Sequence, residues 1–159
     1  MTGRDVELME RAEALALRLT RAGLQRMSAR VLSVLLFNPS ETITAGEIAQ
    51  VLSASPGTIS TTIRSLERSG LIERVPKGRS RREQYRFPDD GWARLMSSQN
   101  ETLNAMAEAA HAGKETVDPD SPAGRRLARM ADFYDHLRSE LPGIIAAWEQ
   151  SDGGRRTST

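Results

Sequence analysis

The sequence predicts a mainly α fold carrying one small β-hairpin, an α+β chain. Three observations predict it. Apolar residues recur at steps of three and four toward both ends of the chain, the spacing that gathers them on one helix face. Two helix-start signals, at Thr44 and Ser55, stand close together in the middle. Two short extended runs then flank a basic turn that contains a glycine.

Taken in order, residues 5–22 read as a helix, with Leu8, Ala12, Leu15 and Leu19 on one face, and Gly23 interrupts it. Residues 27–37 form a second helical run in which Val31, Leu32, Leu35 and Leu36 are expected to be buried, and Pro39 stops it. A short extended piece, 41–43, follows. Thr44-Ala45-Gly46-Glu47 is a capping box, and Ile48, Ala49 and Leu52 give the inward face of a short helix ending near Ser53. Ser55-Pro56 is the second start, with Ser at the cap and Pro at the first helical position. Ile59, Ile63 and Leu66 form the inner stripe of that helix, and Gly70 is its stop. Residues 71–75 and 83–87 are the expected hairpin strands. Between them runs Pro76-Lys77-Gly78-Arg79-Ser80-Arg81-Arg82, with Gly78 available for positive φ.

Pro88 ends the hairpin, and Asp89 or Asp90 is expected to cap a long helix over about 91–112. Residues 114–122 read as a loop. The last helix is expected over about 123–149. In it Leu127, Met130, Tyr134, Leu137, Leu141, Ile144 and Trp148 alternate steps of three and four, a coiled-coil-like seam. Pro142 lies off that seam and is expected to kink or restart the helix without destroying the register. Residues 151–159 contain no apolar side chain and are expected to be disordered.

Composition removes whole classes of function. With no cysteine among 159 residues, there is no disulfide framework, thiolate metal site, Cys nucleophile or thiol sensor. The two histidines, His111 and His136, are too few for most metal sites, and the reading assigns neither a metal nor a cofactor. No glycine-rich phosphate loop is present, Asp89-Asp90 is better read as a cap than as paired catalytic carboxylates, and no base accompanies Ser55 or Ser60, so the chain is not expected to be an enzyme. Apolar runs are too short to span a bilayer, and residues 1–9 carry acids and no apolar core of a signal peptide. A cytoplasmic protein is therefore expected. Aromatic content of 4% argues against stacking platforms for single-stranded nucleic acid.

The formal net charge of +1 hides an asymmetry. From Pro56 to Arg86 eight basic residues (Arg64, Arg68, Arg74, Lys77, Arg79, Arg81, Arg82 and Arg86) face three acids, Glu67, Glu73 and Glu83. That segment is therefore +5 and the remainder −4, which points to a polyanion docking there. A solvated charged face is the plainer account of a charge run taken alone.

Order decides between them. Helix, helix, short strand, helix, helix, strand, basic loop, strand is the order of a winged helix-turn-helix, here with long N- and C-terminal helices expected to dimerise. Its second short helix enters the DNA major groove. At 100° per residue, Gly57, Thr61, Arg64 and Arg68 point away from the inner stripe, with Thr58, Ser60 and Ser65 on the flanks. Gly57 and the small hydroxyl residues permit close approach to the groove, and Arg64 can reach a guanine edge or a phosphate. The helix N-terminus and the Ser55 hydroxyl favour phosphate. Lys77, Arg79, Arg81 and Arg82 suit a wing lying on the backbone or in a narrow minor groove. The DNA-binding set is thus Ser55, Gly57, Thr58, Ser60, Thr61, Arg64, Arg68 and those four. Winged helices also serve as protein-interaction modules, and nonspecific DNA coating is a further alternative.

Residues 43–49, the run Ser55-Pro56-Gly57-Thr58-Ile59-Ser60, then Ile63, Leu66 and Gly70-Leu71-Ile72-Glu73-Arg74, resemble MarR-type transcriptional regulators. Upstream, residues 23–32 resemble more specifically the GbsR-like branch. The resemblance covers about residues 5–150 and is strongest over 23–87. It implies a cytoplasmic homodimer whose terminal helices form the dimer, and a repressor that releases double-stranded DNA when a small molecule binds between the dimer and DNA-binding parts. One departure stands out: many of these proteins carry an Asp-x-Arg motif in the wing, and this loop has no Asp.

The expected organisation is therefore N-terminal helices over 5–37, a DNA-binding unit over 38–88, C-terminal dimerisation helices over 89–150 and a tail over 151–159. Leu8, Leu15, Leu127, Met130, Tyr134, Leu137, Leu141 and Trp148 are the expected dimer contacts. Two-fold symmetry would then demand an inverted-repeat operator. Phe37, Trp92 and Met96 are candidates to line a site for a small apolar or aromatic effector, with ordinary core packing as the alternative.

Overall fold

The computed structural model describes residues 3–76 and 83–156. Its elements are α1 (Gly3–Arg21), α2 (Arg26–Phe37), β1 (Ile43–Thr44), α3 (Ala45–Leu52), α4 (Pro56–Arg68), β2 (Glu73–Val75), β3 (Gln84–Arg86), α5 (Gly91–Thr116) and α6 (Pro122–Arg156). They divide into two compact units, 1–91 and 92–159.

The first unit is built around α2, which packs on α1, α3 and α4. Residues Ser28, Ala29 and Val31 through Leu35 are all buried, so α2 is enclosed on most of its circumference. Leu36, expected inside, is only half-buried, in the last turn of α2. Val31 and Leu32 of α2, Ile48 of α3 and Ile59 and Ile63 of α4 are the large sealed side chains of this unit. Each such side chain contributes roughly 1.5–3 kcal/mol relative to exposure. On α1 the buried positions are Ala12 and Ala16. Leu15 and Leu19 are half-buried and Leu8 is exposed, so small residues rather than leucines set the close approach to α2.

The caps form as the sequence predicts. The Glu47 amide donates to Thr44 Oγ1 at 3.2 Å, and the Thr44 amide donates to Glu47 Oε2 at 2.8 Å. The Thr58 amide donates to Ser55 Oγ at 3.1 Å, with Pro56 opening α4. Between the two helices the chain turns through Ser53 at φ 49°, and Gly70 takes φ 71° beyond α4, a region glycine enters at no steric cost.

The three strands form one antiparallel sheet in the order β1-β3-β2. Tyr85 is its centre, opposite Ile43 on one side and Arg74 on the other. The extended piece expected over 41–43 is Ile43–Thr44, and it joins the hairpin as a third strand. The expected strand 71–75 begins only at Glu73. Leu71 and Ile72 are buried, but both amides donate to the Leu66 carbonyl and close the end of α4, so they cannot serve the sheet. The second strand is likewise shorter than 83–87.

In the second unit the expected loop over 114–122 shrinks to 117–121. Helix α5 continues to Thr116, where Lys114 sits favourably at the negative end of the helix dipole. Helix α6 opens with Ser121-Pro122: the Gly124 amide donates to Ser121 Oγ at 3.0 Å, the same start signal as Ser55-Pro56. Pro142 neither ends nor restarts α6, which is continuous through it. Residues 151–156 are helical rather than disordered. Propagating an existing helix gains a hydrogen bond for each residue fixed, and residues 157–159 lie outside the described residues. Ala107, Ala110 and Ala131 are buried here. No described helix is long and apolar enough to cross a membrane.

Candidate nucleic-acid interface

Helix α4 separates its two faces cleanly. Ile59, Thr62, Ile63 and Leu66 are buried, whereas Ser55, Gly57, Thr58, Ser60, Thr61, Arg64, Ser65 and Arg68 are exposed. Thr62 is a buried residue that the apolar stripe alone did not identify. Its hydroxyl can go inside because Oγ1 donates back to the Thr58 carbonyl at 2.9 Å. The Ser55 hydroxyl is engaged locally, capping the helix and lying 2.8 Å from Thr58 Oγ1.

The outer face is polar, uncluttered and positive. Arg64 Nε donates to the Ser60 carbonyl at 3.3 Å, which lays the guanidinium along the helix. No ion pair engages Arg64 or Arg68 among the described residues. A Cβ built on Gly57 would come no closer than 4.0 Å to the Ser55 hydroxyl oxygen and to nothing nearer. Gly57 also has no positive φ. Neither space nor backbone within the chain therefore requires glycine there.

The three acids of the basic segment are all consumed internally. Arg74 Nε lies 3.3 Å from Glu67 Oε1, and its Nη1 lies 2.5 Å from Glu83 Oε1. Arg86 pairs with Glu73 directly across the sheet and with Glu41 at 3.2 Å. Hydrogen bonding to Glu67, then the charges of Glu67 and Glu83, raise the Arg74 pKa; Glu73 does the same for Arg86. Tyr85 donates its hydroxyl to Glu83 Oε2 at 2.8 Å. Burial first, and this carboxylate second, push its pKa up to about 12. Sequence reasoning counted these charges without pairing them. The register that sets Glu73 opposite Arg86 is what reveals the pairs.

Lys77, Arg79, Arg81 and Arg82 lie outside the described residues. The expected dimer contacts fall in two places. Leu8 and Leu15 belong to α1, with Leu8 exposed and Leu15 half-buried. Leu127, Met130, Tyr134, Leu137 and Leu141 are half-buried along α6, and Trp148 is exposed. Of the effector candidates, Phe37 lines an apolar groove of the first unit with Leu8, Met9, Val34 and Val51. Trp92 and Met96 are exposed residues of the second unit. His111 Nε2 lies 2.8 Å from Asp135 Oδ2, and the described residues contain no cluster of three metal-ligating side chains.

Comparison with known proteins adds the family. Residues 22–83 match the model of the MarR family, and residues 90–151 match that of MmpR5-like MarR family transcriptional regulators. The chain is 29% identical over 155 residues to the HTH-type transcriptional regulator MmpR5 of Mycobacterium tuberculosis, covering 95% of this chain and 92% of that one. A crystal structure of a transcriptional regulator superposes with a TM-score of 0.70 at 26% identity, covering 91% of this chain and 99% of that one. Between them the two matches, both to MarR-family models, take in the helix-turn-helix, β1, β2, all of α5 and α6 as far as residue 151, so the chain is similar to MarR-family transcriptional regulators along most of its length.

Proposed function

We propose that the protein is a homodimeric, sequence-specific reader of double-stranded DNA, acting in the cytoplasm as a repressor. Helix α4 lies in the major groove, and the basic loop 76–82 lies on the backbone or in the minor groove. The observation that carries this reading is the outer face of α4. It presents small hydroxyl side chains, a glycine that the fold does not require, and two arginines, while every nearby carboxylate of the segment is paired with Arg74 or Arg86. A merely solvated charged face has no reason to be cleared of acids in this way.

Residues 38–88 are the reading unit, and the helices over 5–37 and 89–150 are the dimerisation arms. A small apolar or aromatic effector relieves repression, and the groove holding Phe37 supports that part of the reading. What supports the GbsR-like branch within the family is the run 23–32, which forms the turn into α2 and its first half.

The test is selection from random duplex DNA at about 0.15 M salt, near physiological ionic strength, with stoichiometry read from mass. An inverted repeat bound by two chains is the expected result. Binding without enrichment that vanishes as salt rises would mean nonspecific coating, and no binding at all would mean an interaction module.

A further inference from the structure

Among the described residues, Arg74 is the cation of the basic segment that ties α4 to the hairpin. Its two carboxylate partners come from different elements: Glu67 from the last turn of α4 and Glu83 from the residue before β3. Arg74 itself stands on β2, directly opposite Tyr85, whose hydroxyl donates to the same Glu83 carboxylate. Four side chains thus form one chain of contacts, Glu67–Arg74–Glu83–Tyr85. Arg86, by contrast, ties β3 to β2 and to the approach of β1, through Glu73 and Glu41.

From this we infer that Arg74 is a positioning residue for DNA reading. Through Glu67 and Glu83 it sets β2 and the approach to β3 against the recognition helix, so that hairpin and helix meet the DNA as one body. The inference rests on the reading of α4 as the DNA-contacting helix, and it assigns roles to Glu67, Arg74 and Glu83 that lie outside the DNA-facing set. It also accounts for two acids in a segment that would otherwise gain affinity by losing them. Plain electrostatics says that each carboxylate removed from a DNA-facing segment tightens binding. The brace says the reverse, and the two can be separated by sign.

The experiment titrates the full-length wild type and Glu67→Gln/Glu83→Gln against one mixed-sequence duplex of about 30 base pairs, roughly three helical turns, over a salt series. Unfolding midpoints are recorded alongside. Gln keeps the size of each side chain and an acceptor for Tyr85, so the fold is retained. The brace predicts binding weakened roughly three- to tenfold, with a salt slope shallower by about one phosphate or more. It also predicts that Glu83→Asp, which restores a carboxylate beside Glu67→Gln, recovers part of the loss. Equal or tighter binding by the double variant, with an unchanged or steeper slope, would overturn the brace, whatever its stability, and leave DNA reading standing. Failure of the wild type to bind the duplex would remove the reading of α4 and the brace together.

Discussion

At the scale of single residues, the basic segment contains arginines doing two different jobs, and the structure separates them. Arg74 and Arg86 hold carboxylates and build the sheet; Arg64 and Arg68 hold none among the described residues and face outward. Arg64 sits two turns into α4, where a planar fork of donors can grip a guanine edge. Arg64→Ala should therefore cost about 1–3 kcal/mol at one base-pair position and relax preference there, leaving stability unchanged, because the side chain is exposed. A binding titration against a set of single-base operator variants reads this, and an unaltered preference would remove Arg64 from base reading. Tyr85 is the residue whose environment has a pH signature. In the folded chain its phenol stays protonated up to about 12, against the ordinary value of 10.0, because burial and the Glu83 carboxylate both disfavour the phenolate. The unfolded chain gives up that proton first, so the stability contributed by the neutral phenol is present below pH 10 and is lost as pH rises toward 12. Denaturant unfolding between pH 10 and 12 should show a decline in the wild type that is shallower in Tyr85→Phe, and equal declines in both would contradict the assignment.

At the scale of elements, the helix-turn-helix was the most legible part of the chain, because its signals are local. A capping box and a Ser-Pro start each need only a few neighbouring residues to work, and both form at the positions where they are written. The same Ser-Pro signal at Ser121 marks the start of α6 equally well, and the prolines and aspartates around it hid it inside an apparent loop. What could not be read locally is whatever depends on register. The pairing of Ile43 with Tyr85, the loss of Leu71 and Ile72 from the sheet, and the Arg74 and Arg86 ion pairs all depend on how one element meets the next rather than on a local signal. The candidate site divides along the same line: the outward face of α4 follows from 100° per residue, whereas the clearing of acids from it does not. The first turn of α4 offers a test of what the element is for. Gly57 has room for a methyl group and an ordinary backbone, so Gly57→Ala should leave the melting temperature unchanged or raise it slightly, by the gain of up to about 1 kcal/mol that Ala has over Gly in helices. If α4 lies against the floor of the groove, the same methyl group should weaken DNA binding by close contact with the bases. A melting curve and a binding titration on the one variant separate these effects, and unchanged affinity would mean that α4 does not approach DNA at its N-terminal turn.

At the scale of the whole molecule, the question is what covers the apolar surface that remains. Along α6, Leu127, Met130, Tyr134, Leu137 and Leu141 are only half-buried, Trp148 is 42% exposed and Ile144 is 63% exposed. On α1, Val6, Leu8, Met9 and Leu17 are also exposed. A row of large apolar side chains such as that on α6, rather than residues scattered singly, is what an interface with another chain would cover. At 1.5 Å per residue the row from Leu127 to Trp148 extends roughly 30 Å, a length suited to pairing with a second copy of the same helix about a two-fold axis. Two recognition helices would then face DNA about one helical turn, ~34–36 Å, apart, and each half-site alone would bind weakly. Leu137→Glu tests this at the middle of the row. A carboxylate there can stay solvated in a single chain, since Leu137 is half-buried, but would be sealed against apolar groups in a dimer. Mass measurement in solution should show the wild type as two chains and Leu137→Glu as one, with helical content kept. Affinity for an inverted repeat should fall at least roughly tenfold, because the second half-site no longer binds as part of the same body. If instead the row packs within one chain, the variant keeps the wild-type mass and loses thermal stability, and the dimer must be sought elsewhere on the molecule.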